Sequence, residues 1–534
     1  MKGSVIALYV LLILVPLVRV VSTYHVFSTT NDEPFHIKAG LEWLQHGTYN
    51  TDPEHPPLAR VAFALAETHS LPARAGNLIF FLIALVVVAV WSRSLLALAL
   101  FGALPPVLAH AGLATTDCAA MAMTLLALYI FNLWVERSTW PRAIALGFAV
   151  GVGLLAKFSF IVFFPVAAVM FIRKRPRIVQ LAPAALIAAL IVWGGYRFTF
   201  GTIEGSRPSL RVDESVQAMA AQYAKAPGYA WVTPEIILRY RDYANDAGIH
   251  GFSGIDFVDW AKAAGYPSPS AGRAGRDTMQ GAPPIRPVRA FEKVPLPAPL
   301  FFAGIETVQR HSGSGHTAFL LGRTSVKGWW YYFPVVFFFK TPLAFVILSI
   351  IGIVMLFPRG IAIAPVAMLL VAMTSGINIG VRHILPIYPF LAMCAACAAN
   401  ALWPRAKWLV IALLAWFFVA TSLAHPDYLA YFNEAAGRHP ENIAVDSNLD
   451  WGQDVLRLAH YVRREHIPHL YVAAFGDWTS YDMPAEPLPP NTRVAGWIAI
   501  SENKLKLTDA FAWLDRERPV KRIGKSIRLY YIPK

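Results

Sequence analysis

Repeated long apolar runs constrain the fold of this chain more than any other feature of its sequence. A transmembrane helix needs roughly 20 consecutive apolar residues, and one soluble core cannot bury many such runs. The chain of 534 residues is 56% hydrophobic and only 15% charged. We therefore predict an all-α polytopic membrane protein. The predicted spans are residues 4–21, 74–91, 95–111, 114–134, 181–199, 335–357, 361–379, 384–401 and 406–424, with two shorter spans within 143–172.

The run 143–172 is divided because Lys157 stands near its middle. A charge left in hydrocarbon is costly, so we predict that the chain turns at Lys157 between two short spans. The total is then about eleven spans. The first run could instead be a secretory signal peptide, but its charged start is a single Lys2 and no A-x-A cleavage pattern follows, so we predict a permanent first span.

Lys and Arg fall mainly in alternate connections, which indicates the orientation of the chain. With the amino terminus in the cytoplasm, the net charge of +14 partly reflects an inner basic fringe that faces anionic lipid, and it does not indicate nucleic-acid binding. The basic residues of these inner connections are Lys2, Arg93, Arg137, Arg142, Arg173, Lys174, Arg175, Arg177, Arg359, Arg405 and Lys407.

Four segments follow from this topology. Residues 1–200 hold spans one to seven and the acidic outer loop 22–73, residues 201–328 form a long outer loop, residues 329–424 hold the remaining spans, and residues 425–534 form an outer tail. The tail segments "LYVAAFG", "RVAGWIAIS" and "SIRLYYIP" have the composition of strands and predict a small α/β lobe.

The outer loop 22–73 predicts two helices that lie along the membrane surface. Ile37, Leu41 and Leu44 recur at helical spacing before Gly47, which suits a helix end. A second helix is predicted to begin at the prolines 56 and 57.

Acids and imidazoles are concentrated in the stretch "NDEPFHIKAGLEWLQHGTYNTDPEHPPLAR", residues 31–60. Asp32 and Glu33 are candidate functional acids, and Glu54 and His55 belong to the same loop. The alternative for Asp32 is structural, because an Asp before Glu and Pro also suits the start of a helix, where its carboxylate caps free backbone N–H groups.

Asp117, in "LATTDCAAM", stands where an outer connection enters a predicted span. It either caps that helix, as Thr115 or Thr116 also can, or it pairs with a cation, because an acid that dips towards a membrane needs a partner. The predicted topology puts Lys157 on the same side as a candidate partner; alternatively, Lys157 extends its ammonium group to the membrane surface.

Two further clusters lie at the same predicted face. Arg382 and His383, in "GINIGVRHILPIYP", suit a phosphate group at the level of the lipid headgroups, although an exposed Arg there could equally pair with a phospholipid. The Gly-rich stretch "HSGSGHTAFLLGRTSVKGWWYY" adds His316 and Arg323. Acids, cations and a lipid boundary together describe a substrate with an anionic head and an apolar tail, as in sugar transfer from a polyprenyl phosphate.

Several of these stretches resemble bacterial members of the protein O-mannosyltransferase-like family, glycosyltransferase family 39, which are membrane glycosyltransferases of the GT-C fold. The resemblance is carried by "DEPFHIKAGLEWLQHGTY", "PEHPPLAR", "TTD", "RHILPIYPFL" and "VDSNLDWGQDVLRLAHYV" in this order. It spans most of the chain except residues 205–290, and it implies a lipid-phosphate-linked sugar donor and an outward-facing active site.

Carried over residue by residue, the resemblance implies that Asp32 is the general base, that Glu33 shapes the site or binds acceptor, and that Asp117 orients the acceptor or assists the electrostatics. The candidates for donor phosphate binding are Arg382, His383, Lys157 and His55, and the candidates for an acceptor or substrate loop are His316 and Arg323.

Glu54 is a candidate ligand for a divalent metal ion. It occupies the place where related aminoarabinose transferases have an acid proposed to hold such an ion, but those relatives have Lys after the acid and this chain has His55. A neighbouring acid and His alone are insufficient evidence for a metal site.

The segment "VDSNLDWGQD" has the composition of a calcium loop but lacks the Gly and the closing Glu of an EF-hand. We predict a capping turn in which Asp450 starts the next helix; contact with acceptor or membrane glycan is the alternative.

The expected activity is inverting transfer of a sugar from a polyprenyl-phosphate donor to a hydroxyl of a protein, lipid A or a glycan. The expected location is the bacterial inner membrane, with the active site and the carboxyl terminus outside, in contact with membrane lipids and with no nucleic acid. The alternative is a transporter or flippase of lipid-linked glycans, although transporters usually place ionisable groups near the middle of the membrane.

Overall fold

The computed structural model describes residues 2–49, 51–173, 175–206 and 290–533, together with residues 217, 220, 221, 224, 232–237, 239 and 240. Lys174 and most of the long outer loop lie outside the described residues. The helices are α1 Lys2–Val21, α2 Glu33–His46, α3 Pro57–Thr68, α4 Leu78–Ser92, α5 Leu95–Ala103, α6 Pro105–Ala111, α7 Asp117–Glu136, α8 Trp140–Ala156, α9 Phe160–Val169, α10 Leu181–Gly195, α11 Ile203–Ser206, α12 Pro299–Ser314, α13 Tyr332–Lys340, α14 Leu343–Leu356, α15 Gly360–Ala372, α16 Tyr388–Leu423, α17 Val455–Arg464 and α18 Glu502–Leu507.

The chain is a multi-pass membrane protein. Within the described residues, five helices are long and apolar enough to cross a membrane, and the bent pair α14 and α15 gives up to six. Helix α1 exposes large apolar side chains, with Ile6 at 63% and Val18 at 65% of their full accessibility. Apolar surface of this kind requires lipid around it. The five helices occupy Gly3–Val21, Ala73–Ser92, Asp117–Glu136, Ile178–Gly195 and Val381–Leu423.

Shorter apolar helices account for most of the other predicted spans, and the total of about eleven stays a prediction. The predicted turn at Lys157 is confirmed, because α8 ends at Ala156 and α9 begins at Phe160. The predicted span 95–111 is instead two helices. They separate at Leu104, which is extended because Pro105 follows it.

The predicted run 335–357 is also broken. Pro342 interrupts it, so that α13 ends at Lys340 and α14 begins at Leu343. Helices α14 and α15 then bend by 119°. The runs predicted at 384–401 and 406–424 join in α16, with a kink at Ala406, where φ is −142° and ψ is 45°.

Helices α2 and α3 of the first outer loop confirm both predicted helices. Helix α2 ends at Gly47, whose φ of 68° lies in the left-handed region that glycine adopts without strain. The two helices pack closely, because a Cβ at Gly40 would collide with the backbone carbonyl of Arg60. The close approach at Gly40 sets α2 directly against α3.

The tail contains the strands β5 Leu470–Ala473, β6 Ala485–Pro487, β7 Gly496–Ser501, β8 Lys521–Ile523 and β9 Ile527–Ile532. They form a five-stranded sheet with the order β6-β5-β7-β9-β8. The three predicted tail strands are confirmed as β5, β7 and β9. Strands β5, β6 and β7 pair in parallel, and β7, β9 and β8 pair antiparallel. The other described strands are β1 Phe200–Gly201, β2 Leu296–Pro297, β3 Ala318–Leu320 and β4 Arg323–Ser325.

Both faces of this sheet are covered, as the alternation along the strands requires. Val472, Ala499 and Leu529 pack with α17 on one face. Ile498 and Tyr530 pack on the other face with the 3₁₀ segment that contains Phe511 and Leu514.

Residues 446–454, which we call the tail turn, connect this sheet to the first outer loop. The backbone N–H of Asn31 donates to the carbonyl of Trp451 at 3.0 Å, and the backbone N–H of Ser28 donates to the carbonyl of Gln453 at 3.1 Å. The hydroxyl of Ser28 donates to the carbonyl of Gly452 at 2.7 Å. The tail turn is therefore fixed directly against the segment that carries Asp32.

The prediction that Asp450 starts a helix is wrong. Helix α17 begins at Val455, with Asp454 at its N-cap position. Asp450 is fully buried, and its carboxylate accepts backbone N–H donors from Asn503 at 2.8 Å and from Gly452 at 3.3 Å. The carboxylate therefore links the tail turn to the sheet, because Asn503 lies in the helix that follows β7.

Asp450 predicts a pH-dependent stability. Burial raises the pKa of Asp450 from 3.8 to about 7, against the hydrogen bonds that favour its charged form. The folded state holds the proton more tightly than the unfolded chain, so stability falls as pH rises from about 4 to about 7, by about 1.4 kcal/mol per pH unit. We expect Asp450→Asn to flatten the dependence of Tm on pH between pH 5 and pH 7, whereas the exposed control Asp482→Asn retains it. An unchanged slope in Asp450→Asn would contradict this assignment.

Candidate functional site

Four charged side chains meet at one end of the helical bundle. A guanidinium N–H of Arg382 (Nη1) donates to Oδ2 of Asp32 at 3.0 Å and lies 3.8 Å from Oδ2 of Asp117. The ammonium group of Lys157 donates to Oδ1 of Asp117 at 2.5 Å. The predicted pairing of Asp117 with Lys157 is confirmed. These four residues are far apart in the sequence, at positions 32, 117, 157 and 382. Only the tertiary structure brings them together.

Neither acid caps its helix. Asp32 occupies the N-cap position of α2 and Asp117 is the first residue of α7, yet neither helix start has a side-chain capping hydrogen bond. Asp32 is the accessible member of the cluster, with 30% of its side chain exposed, whereas Asp117 is 1% exposed. The alternative that the Asp32 carboxylate caps the start of α2 is therefore wrong.

Arg382 presents an unused hydrogen-bonding edge. Its guanidinium lies over the indole of Trp451, with Cζ 4.1 Å from the ring centroid. The side chain is 8% exposed, and its Nε is buried with no hydrogen-bond partner among the described residues. Asp32 and Asp117 both lie against Nη1, so the edge formed by Nε and Nη2 faces neither of them. We call this edge of Nε and Nη2 the free edge. It has the geometry that binds an oxyanion through two parallel hydrogen bonds.

Glu33 is buried beside this cluster. Its carboxylate accepts from Nε and Nη2 of Arg74 at 2.8 and 2.7 Å and from the backbone N–H groups of Thr30 and Ala114 at 2.7 and 2.8 Å. Burial raises the pKa of Glu33, but the charge and hydrogen bonds of Arg74 together with the two backbone donors bring it below its ordinary value. The carboxylate thereby ties Thr30, two residues before Asp32, to Ala114 in the turn before α7.

We expect Glu33→Gln to destabilise the protein. The substitution leaves the guanidinium of Arg74, which is 5% exposed, without its buried counter-charge. Breaking a buried pair in this way costs about 3–5 kcal/mol. Thermal unfolding in detergent measures the loss, and Glu67→Gln on the exposed face of α3 is the matched control. Equal midpoints for the two variants would show that the pair contributes little.

His55 lies next to the cluster in a second buried network. Its ring contacts that of His36 edge to face, with centroids 5.0 Å apart, and Arg60 donates to Nδ1 of His36 at 3.1 Å while forming an ion pair with Asp52. Burial, followed by the positive charges of Arg60 and Lys157, lowers the pKa of His55 well below its ordinary value. A neutral His55 can offer a ligand an N–H donor but no positive charge.

The side chain of Glu54 contacts helix α12. Its carboxylate lies 3.6 Å from Nδ1 of His311, and Nε2 of His311 lies 3.3 Å from Nδ1 of His316. The Gly-rich stretch thus meets the first loop at Glu54. Within the described part of the chain, no group of three or more His, Cys, Asp or Glu side chains can hold a metal ion. The metal-binding role of Glu54 stays a prediction.

The remaining candidates are His383 and Arg323. His383 is half-buried, and its ring centroid lies 6.2 Å from that of Phe333. Arg323 is exposed where strand β4 begins, at the turn of the β3–β4 hairpin. The hairpin turns at Leu321 and Gly322, which both have positive φ, as a two-residue turn requires.

The structure brings further residues to the site that sequence reasoning missed. Trp451 covers Arg382, and Arg74 neutralises Glu33. Asp446 adds a third carboxylate: burial raises its pKa to about 6, with Arg382 lowering it and Asp32 raising it further. The available signal was the density of Asp, Asn and Trp in the tail turn, which nothing in the sequence linked to the first loop.

The chain matches no family model and no curated protein sequence. Among solved structures it is similar to ArnT from Cupriavidus metallidurans bound to undecaprenyl phosphate, at 12% identity over 97% of both chains with a TM-score of 0.44. It is also similar to ArnT from the same organism in the apo state, at 14% identity over 98% of both chains with a TM-score of 0.32.

Proposed function

We propose that this protein is an inverting membrane glycosyltransferase of the GT-C type, which moves a sugar from a polyprenyl-phosphate donor to an acceptor hydroxyl. The acceptor is a protein, lipid A or a glycan. The observation that carries this proposal is the contact of Asp32, an accessible acid, with Arg382, whose Nε has no partner among the described residues. A base and an oxyanion site lie side by side at the end of an apolar bundle.

The donor's phosphate is held by the free edge of Arg382 in this proposal. Two parallel N–H groups match two phosphate oxygens, and Lys157 adds a positive charge through its contact with Asp117. His55 and His383 stand beside these cations as candidate donor-phosphate contacts. The polyprenyl chain remains in the lipid that surrounds the exposed apolar surfaces of the membrane helices.

Asp32 acts as the general base of the proposed transfer. Its carboxylate takes the proton of the acceptor hydroxyl as the hydroxyl oxygen forms a bond with the anomeric carbon of the sugar. The bond between that carbon and the phosphate oxygen breaks, and its electron pair leaves with the polyprenyl phosphate. Arg382 stabilises the charge that builds on the leaving oxygen. One in-line step inverts the anomeric centre.

Asp117 and Glu33 are positioning residues in this scheme. Asp117 holds Lys157 and lies beside Arg382, so it fixes two cations without needing to touch substrate. Both oxygens of Glu33 accept hydrogen bonds from protein donors. His316, which precedes β3, and Arg323, at the turn of the β3–β4 hairpin, are proposed to contact the acceptor. His316 is linked to the first loop through His311 and Glu54.

The outer face of a bacterial inner membrane is the proposed location of the site. Helix α7 starts at Asp117 and has 20 residues, so its far end lies about 30 Å away. Arg137 follows that far end, and basic residues favour the cytoplasmic side. The carboxyl-terminal sheet, which joins the site through the tail turn, is then outside as well.

The test uses purified full-length protein in vesicles with radiolabelled polyprenyl-phosphate sugars carrying mannose, galacturonic acid or aminoarabinose. We expect one donor to release polyprenyl phosphate only when an acceptor extract is present, with label moving to lipid A, glycan or protein. Movement of an intact donor between leaflets without cleavage would instead identify a flippase. No turnover with any of these donors would count against the proposed reaction.

A further inference from the structure

Trp451 contacts the proposed donor-binding cation although it lies in the distant tail. Its indole face lies 4.1 Å from Cζ of Arg382, and only 1% of the residue is exposed. On another side, its ring centroid lies 6.0 Å from that of His110 in an edge-to-face contact. An aromatic face holds a guanidinium in a parallel plane through cation–π attraction and stacking, and burial strengthens this attraction.

The backbone of the tail turn fixes the indole independently of Arg382. The amide of Trp451 donates to the side chain of Gln453 at 2.8 Å, while its carbonyl accepts from the amide of Asn31 at 3.0 Å. Next to it, Gly452 has a φ of 91° and passes so close to the carbonyl of Phe475 that a Cβ there would clash. The same turn thus fixes the indole and, through Asn31, the residue before Asp32.

The free edge of Arg382 depends on the rotation of its guanidinium. The side chain has several rotatable bonds, and Asp32 restrains only one of its terminal nitrogens. Rotation about that single contact would turn Nε and Nη2 away from a ligand. The indole face limits tilting of the guanidinium, because the planar group stacks best parallel to the ring.

We propose that Trp451 is a positioning residue for Arg382, which orients the Nε–Nη2 edge for two parallel hydrogen bonds to the donor phosphate. This inference rests on the proposed function for the identity of the ligand. It makes the tail turn part of the active site, since the turn sets the orientation of the cation and the position of the base.

The test compares Trp451→Phe and Trp451→Leu with the wild-type protein, using farnesyl phosphate in detergent micelles as the binding probe. Phe retains an aromatic face, whereas Leu retains apolar bulk without one. We expect the Kd for farnesyl phosphate to rise about tenfold or more in Trp451→Leu and to be largely restored in Trp451→Phe. In turnover assays, we expect KM for the donor to rise more than kcat falls.

A second measurement does not depend on the ligand. Trp451→Leu, Arg382→Ala and the double variant form a thermodynamic cycle on Tm, and we expect the double variant to lose less than the sum of the two single losses. Additive losses would overturn the contact as a coupling between the two residues. Equal loss of binding in the Phe and Leu variants would reduce Trp451 to a packing residue. Failure of the wild-type protein to bind farnesyl phosphate would count against the proposed function, and the cycle would still decide whether Trp451 positions Arg382.

Discussion

Asp32→Asn is expected to reduce sugar transfer by about a hundredfold to ten-thousandfold, because an amide cannot take the acceptor's proton. The substitution retains nearly the same shape, and its amide oxygen can still accept the hydrogen bond that Arg382 donates to Oδ2 of Asp32 at 3.0 Å. The loss should therefore appear mainly in kcat, with a small change in the KM for the donor. Release of polyprenyl phosphate from labelled donor measures both quantities.

The matched control for this variant is Asp482→Asn, an exposed carboxylate of the tail that lies outside the cluster. We expect its kcat and KM to equal those of the wild-type protein. Thermal unfolding of both variants checks that they are folded. Wild-type turnover in folded Asp32→Asn would remove Asp32 as the base. A loss confined to the KM for the donor would assign Asp32 to binding through Arg382.

Arg382→Ala is expected to abolish measurable donor binding and to lower stability. The substitution removes the proposed phosphate contact and takes a counter-charge away from both Asp32 and Asp117. Loss of an oxyanion donor typically costs about a hundredfold to a thousandfold in rate, and breaking a buried ion pair costs about 3–5 kcal/mol of stability. We expect kcat/KM to fall by at least a hundredfold, as measured in donor titrations.

Arg382→Lys separates charge from geometry. Lys retains a positive charge near Asp32 but lacks the planar fork with parallel N–H donors. We expect this variant to recover much of the stability of the wild-type protein and little of its donor affinity. The controls are Arg464→Ala and Arg464→Lys, since Arg464 is an exposed residue of α17 that forms an ion pair with Glu465. Full activity in Arg382→Lys would mean that a point charge suffices and that the free edge is unimportant.

Local sequence patterns predicted the helices of the first loop and several of the apolar runs. The spacing of Ile37, Leu41 and Leu44, with Gly47 after them, describes α2, and Lys157 marks the break between α8 and α9. Alternation in the tail likewise describes β5, β7 and β9. These predictions succeeded because they depend on neighbours in the chain. The broken helices at Pro105 and Pro342 were missed because apolar composition was weighed above the prolines.

The sequence also singled out charged residues that meet in the tertiary structure. Asp32, Asp117, Lys157 and Arg382 were singled out because charge beside apolar runs is costly unless it is paired or used. Their contacts agree with that reasoning: Asp32 meets Arg382, and Asp117 meets Lys157. The predicted topology put these residues on one face of the membrane and offered Lys157 as a partner of Asp117, but it did not predict the direct contact of Asp32 with Arg382.

Partners from distant parts of the chain were decided only by the tertiary structure. Glu33 contacts Arg74, and Arg382 contacts Trp451. The members of each pair are distant in the sequence, and no periodic pattern predicts that they touch. Residue types and their periodicity determine where helices, strands and costly charges occur, because those preferences act over a few neighbouring residues. Which acid remains accessible and which is neutralised depends on packing between elements, because burial and distance set the strength of every charge in the site.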